Sequence, residues 1–127
     1  MKMVAVMMGF ALACVAPGIA QAAPDEVVVV GVPDGRLAAG ALMRGDFDKA
    51  ARRLNAVRPD AASDPARLIN LGHAYLGMGR IADAHDAYKS ARFAPESILV
   101  LANGDEASSR DIARRAIGRV QATYAMR

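Results

Sequence analysis

Two stretches of this chain match each other at a fixed distance. Arg44-Gly45-Asp46-Phe47-Asp48-Lys49-Ala50 aligns with Met78-Gly79-Arg80-Ile81-Ala82-Asp83-Ala84 at an offset of 34, and Leu54 falls opposite Tyr88. Self-similarity at a period of roughly 20 to 50 residues marks stacked supersecondary units. A single unit of this kind cannot bury its own apolar face, so copies must stack or be capped by something else. Joined to a composition rich in alanine and poor in aromatic rings, this pattern suits a mainly α chain better than a sandwich of sheets.

Local signals place the elements. Residues 27–30 are four valines bounded by Gly31 and Pro33, which reads as a short strand. Residues 34–43 predict a short helix with Leu37, Ala38, Ala41 and Leu42 on one face, ended by Gly45. Asp46 is placed to cap a helix in which Phe47, Ala50, Ala51, Leu54 and Val57 recur at helical spacing as far as Pro59. After a loop at 60–63, Asp64-Pro65 supplies a cap and a first-turn proline. That helix runs to about Met78 with Leu68, Leu71, Gly72, Tyr75 and Leu76 inward. The next spans 81–93, with Ile81, Ala84, Tyr88 and Ala91 inward, and Pro95 stops it. An apolar run at 98–101 before Asn103-Gly104 predicts a hairpin over 97–107. Ser108 and Ser109 offer a cap for a last helix lined by Ile112, Ala113, Ala116, Ile117, Val120 and Tyr124. The valine strand is a candidate to pair with 98–101, tying the two ends of the chain together.

The first 22 residues have the layout of a secretory signal peptide. Lys2 precedes a continuous apolar run at 3–16, Pro17-Gly18 breaks it, and Ala20-Gln21-Ala22 supplies small residues two apart, so cleavage is expected after Ala22. A membrane anchor needs roughly 20 apolar residues, and this run is shorter. A second reading, Cys14 as a lipidated cysteine, leaves too little apolar run upstream, and a retained N-terminal helix would leave an apolar stripe with no polar face. The expected location is therefore secreted or periplasmic, with no stable membrane insertion after removal of the leader. Beyond residue 22 there are 22 alanines, five aromatic residues and no cysteine. A core of that kind suits thin, closely approaching helices, and it excludes disulfides and Cys-based metal sites. With 15 Lys and Arg against 13 acids, the charge asks for no polyanionic partner.

The residues 68–95 resemble a tetratricopeptide repeat, whose pattern is W-x2-L-G-x2-Y, then A-x3-F, then P. Here it reads Leu68-x2-Leu71-Gly72-x2-Tyr75, then Ala84-x3-Tyr88, then Pro95. Gly72 and Ala84 are small where the helix pair crosses, Tyr75 and Tyr88 fill the space beside them, and Gly79 sits at the reversal. Residues 35–59 are a degenerate copy, with Ala38 in the place of Gly72 and Ala41 in that of Tyr75. The resemblance implies one and a half to two helix-turn-helix repeats over 34–95, preceded by a linker and strand at 23–33. Residues 96–127 depart from it, and their hairpin and helix are expected to cap the array.

The resemblance also implies a binding surface, the concave face of the first helices: Ala66, Ile69, Asn70, His73 and Leu76, with Arg36 and Met43 from the degenerate unit. Asn70 would hydrogen-bond the backbone of an extended peptide, or else serve an internal bond. Ala66 and Ile69 are apolar where relatives carry basic residues that clamp a carboxylate, so such a clamp is not expected. His73 and His85 lie 12 apart with Asp83 and Asp86 nearby, too thin a set for a metal, and they read as parts of solvated polar faces. Ser108 and Ser109 lack a nucleophile-elbow context and read as capping residues. Arg110, Arg114, Arg115 and Arg119 form a basic strip, best explained as a solvated face rather than a nucleic-acid reader. With no acid/base pair or activated nucleophile, no enzyme and no cofactor are expected. The expected function is a protein or peptide interaction module in the cell envelope; the alternative is a structural subunit permanently packed in a larger envelope assembly.

Overall fold

The computed structural model describes residues 27–31, 36–56 and 61–125. The leader with Cys14, the residues up to 26, Pro33, Asp34, Val57 and Pro59 lie outside the described residues. Five helices are described, α1 (Ala39–Met43), α2 (Phe47–Asn55), α3 (Pro65–Gly77), α4 (Ile81–Phe93) and α5 (Ser109–Ala125), with three short strands, β1 (Val29–Val30), β2 (Ile98–Leu101) and β3 (Glu106–Ser108). The strands form one antiparallel sheet in the order β1-β2-β3. The pairing of the valine strand with β2 is present, with Val29 opposite Leu101 and Val30 opposite Val100.

Each helix has a physical start and stop. Asp64 is extended and its side chain accepts from the Ala66 N–H at 3.1 Å, while Pro65 occupies a first-turn position that needs no donor. Asp46 makes no such side-chain bond at the start of α2, contrary to expectation. The helix begins instead from the turn before it. The Asp46 N–H donates to the Ala41 carbonyl at 2.9 Å and the Gly45 N–H to Leu42 at 3.1 Å. Thirty-four residues on, the Arg80 N–H donates to Tyr75 at 2.9 Å and the Gly79 N–H to Leu76 at 3.1 Å. Gly45 and Gly79 both take positive φ, 74° and 76°, the conformation that closes a helix at least cost without a Cβ.

The α1 helix starts at residue 39, not 34. Ala38 sits at φ 53°, ψ 28°, which breaks the helical path, and the carbonyl of Leu37 is taken by the Asn70 side chain at 2.8 Å. Ser108 and Ser109 also differ from the capping expectation. Ser108 lies in β3 and its hydroxyl bonds Glu96, while the Ser109 hydroxyl accepts from the Ser97 N–H at 3.0 Å. Both therefore fasten the start of α5 to the segment entering β2.

Successive helices pack on one another, and α5 lies along α4. Ala84 and Tyr88 share a buried cluster with Ala116, Ile117 and Val120, so α5 covers α4 with the inward set expected of it, except that Tyr124 is exposed. Two glycines set the closest approaches. A Cβ on Gly72 would lie 2.4 Å from Tyr88 Cε1, and one on Gly77 2.4 Å from the Phe47 ring. Gly72→Ala should therefore cost about 1 to 3 kcal/mol by overpacking, read as a lower midpoint in denaturant unfolding. Retained stability would show that the Tyr88 ring moves aside freely. Arg67 closes the other end of α2: its guanidinium donates to the carbonyls of Leu54, Ala61 and Ala62 at 2.9 to 3.0 Å.

Candidate functional site

The face of α3 singled out in the sequence is the best-organised polar site described. It does not face solvent. Its occupant is the chain's own β1. Hydrogen-bond direction explains how a helix can hold a strand. The Ala102 N–H donates to the Val28 carbonyl at 2.9 Å, so Val28 turns its polar groups toward β2. Alternation then aims those of Val29 the opposite way, at what would be a bare sheet edge. Asn70 fills that edge. Its Oδ1 accepts from the Val29 N–H at 2.9 Å and its Nδ2 donates to the Val29 carbonyl at 2.8 Å. A primary carboxamide presents one donor and one acceptor at the spacing of a peptide group, so Asn70 stands in for a residue of a neighbouring strand. Its second N–H reaches Leu37, leaving Asn70 fully buried and satisfied.

His73, one turn further on, holds the start of the same segment. Its Nε2 lies 2.9 Å from the Val27 carbonyl and its Nδ1 2.6 Å from the Tyr88 hydroxyl. A carbonyl can only accept, so Nε2 carries the proton and Nδ1 accepts from Tyr88. Burial keeps the imidazole neutral: its pKa falls from 6.5 to about 4, chiefly by desolvation, opposed by the Val27 bond and aided by the nearby Arg119 charge. Burial pushes the Tyr88 hydroxyl pKa upward.

The remaining face residues are apolar walls. Ala66 and Ile69 are buried in one cluster with Val29, Leu101 and Ile112. Leu76 lies apart from β1, half-buried against the α4–α5 cluster. Val28 goes to the opposite side, into the cluster of Ala41, Leu42, Leu54 and Leu71. Arg36 and Met43 are exposed. Of the residues carried by the repeat pattern, Leu68, Leu71, Gly72, Ala84 and Tyr88 are inward, Tyr75 is half-buried with its hydroxyl on Asn55, and Gly79 makes the turn. Pro95 follows the end of α4 by two residues.

Two features were not found from the sequence. The outer face of the sheet leaves Val30, Ile98 and Val100 uncovered, Ile98 at 67 % exposure. Beside it an apolar cleft of about 490 Å3 is lined by Val29, Val30, Gly31, Leu37, Ala66, Ile98, Leu99 and Val100. Alternation in the 98–101 run carries this signal: with Leu101 inward, Ile98 and Val100 cannot both be buried on a sheet this small.

Polar groups elsewhere are dispersed. Among the described residues no three His, Cys, Asp or Glu side chains gather as metal ligands, and no helix is long and apolar enough to cross a membrane. His85 lies near Asp86 at the surface. The α5 arginines do not form one strip. Arg110 pairs with Glu96 at 3.3 Å and Arg114 with Asp111, whereas Arg119 is half-buried near His73 and Tyr88. Exposed pairs contribute little, so replacing Arg110, Arg114 and Arg115 together with glutamine should leave the thermal midpoint almost unchanged. A large drop in that midpoint would mean these arginines carry structure. No family model matches the chain, and neither a curated protein nor a solved structure matches it.

Proposed function

We propose that this chain is a small exported interaction module of tetratricopeptide type, which holds a protein or peptide rather than transforming a substrate. The observation that carries the binding function is the grip of Asn70 on both polar groups of Val29: the α3 face accepts an extended backbone. The repeat assignment draws support from the turn hydrogen bonds that recur at an offset of 34, from Gly45 and Gly79 at equal φ, and from Leu54 and Tyr88 as fully buried side chains 34 apart. One observation favours the accessory-subunit alternative, the uncovered sheet face of Val30, Ile98 and Val100, since apolar side chains gathered on one face mark a surface that another protein covers.

Affinity capture of the processed protein from its native envelope, with sedimentation of the purified protein, tests both. A protein that is a stable monomer when dilute and recovers one polypeptide, which it then binds saturably in purified form, supports the module. Obligate association with a different polypeptide supports the subunit, and a protein that binds no other polypeptide overturns both. Mass determination of the exported material should give a chain beginning at Ala23, and an intact Met1 would overturn export.

A further inference from the structure

β1 is a guest in the groove between α3 and β2. The walls around Val29 come mainly from residues 65–120, and Ala41, Leu42 and Leu54 pack with Val28 on the other side. Val29 is 41 residues from Asn70 in sequence. Only residues 32–35 and the turn at 36–38 connect β1 to the rest of the fold. The groove reads mainly backbone, through Asn70 on Val29 and His73 on Val27, and Val29 fills its apolar floor.

We propose that this groove also receives β1 from a second copy of the chain, giving a dimer in which two copies trade strands. The inference rests on the α3 face being a strand-receiving surface, and it adds the identity of one partner. Three observations favour a second copy. The occupant chemistry is already specified, because residues 27–31 of any copy make the same bonds. β1 docking closes a long loop, Val29 and Asn70 being 41 residues apart, and that closure carries an entropy cost that lets a strand from another copy compete for the same site. Exchange preserves every contact except those of the connecting link, and it is the link that decides the balance. The described part of that link ends at Ala38, held at φ 53° although it carries a Cβ, a conformation costly for an L residue.

The register supplies a direct test. Val30 and Val100 are opposite one another and both half-exposed, at 40 % and 42 %. Cα atoms across such a hydrogen-bonded pair lie about 5.5 Å apart, within disulfide range. Cys14 is the sole cysteine, so a Cys14→Ser background of the full chain is free of competing thiols. In that background the double variant Val30→Cys/Val100→Cys, refolded dilute and oxidised, should give a monomer with an internal disulfide. If it does not, the strand-receiving surface itself is wrong. Separate Val30→Cys and Val100→Cys chains, mixed and refolded at high concentration, should give a mixed disulfide dimer. Its yield should exceed by about tenfold or more that from Val30→Cys mixed with Phe93→Cys, an exposed position on α4, because docking raises effective concentration. Equal yields from the two mixtures, with the internal disulfide of the dilute double variant intact, overturn strand exchange while leaving the groove assignment in place.

Discussion

Asn70→Leu should cost about 4 kcal/mol of folding stability, a large share of what a domain of this size possesses. Leucine keeps the volume but withdraws partners from the Val29 N–H, the Val29 carbonyl and the Leu37 carbonyl together. Val29 is 1 % exposed, so water cannot replace what is lost there. Each buried group left unpaired costs about 1 to 3 kcal/mol, and some relaxation at Leu37 lowers the total. Asn70→Asp separates the contributions. An ionised carboxylate still accepts from the Val29 N–H but repels both carbonyls, so this variant should be at least as unstable near neutral pH. Its deficit relative to the parent should shrink in acid, where a protonated carboxyl donates once. Denaturant unfolding measures both variants. A midpoint for Asn70→Leu equal to that of the parent would mean that β1 is held by its valines alone.

The helical frame was readable because it depends on short-range chemistry. Spacing of Ala50, Ala51 and Leu54, the Asp64-Pro65 start, and glycines at 45 and 79 each act within one turn of chain. The boundaries that shifted are those set by residues far away in sequence. Nothing local to 34–38 announces that Asn70 claims the Leu37 carbonyl, yet that bond and the Ala38 conformation shorten the first helix. Ser109 looks like a cap until Ser97, 12 residues earlier, arrives to donate to it. The α3 face illustrates the same limit from the functional side. Asn70 among apolar neighbours reads as a group that grips an extended chain, which it does, but a helix cannot distinguish a foreign peptide from its own valine strand. His73 reads as part of a solvated face and is instead buried on the Val27 carbonyl. The usable clue was the strand itself: four valines need burial, and pairing with one edge of β2 covers only half of their polar groups. Ala102 takes the Val28 carbonyl, and a second holder had to exist for Val29.

Folding stability should fall as pH is lowered from about 6.5 toward 4, and His73 should supply about 3 kcal/mol of that fall. In the folded protein its pKa is about 4, against 6.5 for the free side chain. Below pH 6.5 the unfolded chain takes up a proton that the folded chain refuses, so stability is fully present above that value and is lost progressively until the folded pKa is reached. A separation of that size, at about 1.4 kcal/mol per pKa unit, gives the figure. The structural cause is specific. Nδ1 accepts a hydrogen bond from the Tyr88 hydroxyl at 2.6 Å, and a proton on Nδ1 would face that hydroxyl hydrogen and add positive charge near Arg119. Nε2–H holds the Val27 carbonyl in either state and favours the charged form, so the cost of protonation falls on burial and on the Nδ1 side. His73→Gln cannot titrate and keeps a donor for the carbonyl. It should be less stable than the parent at pH 7, yet lose less between pH 7 and 4.5. Denaturant midpoints for the two proteins across that interval decide the matter. Parallel slopes would show that the carboxylates alone set the acid response and that His73 exchanges protons freely in the folded state.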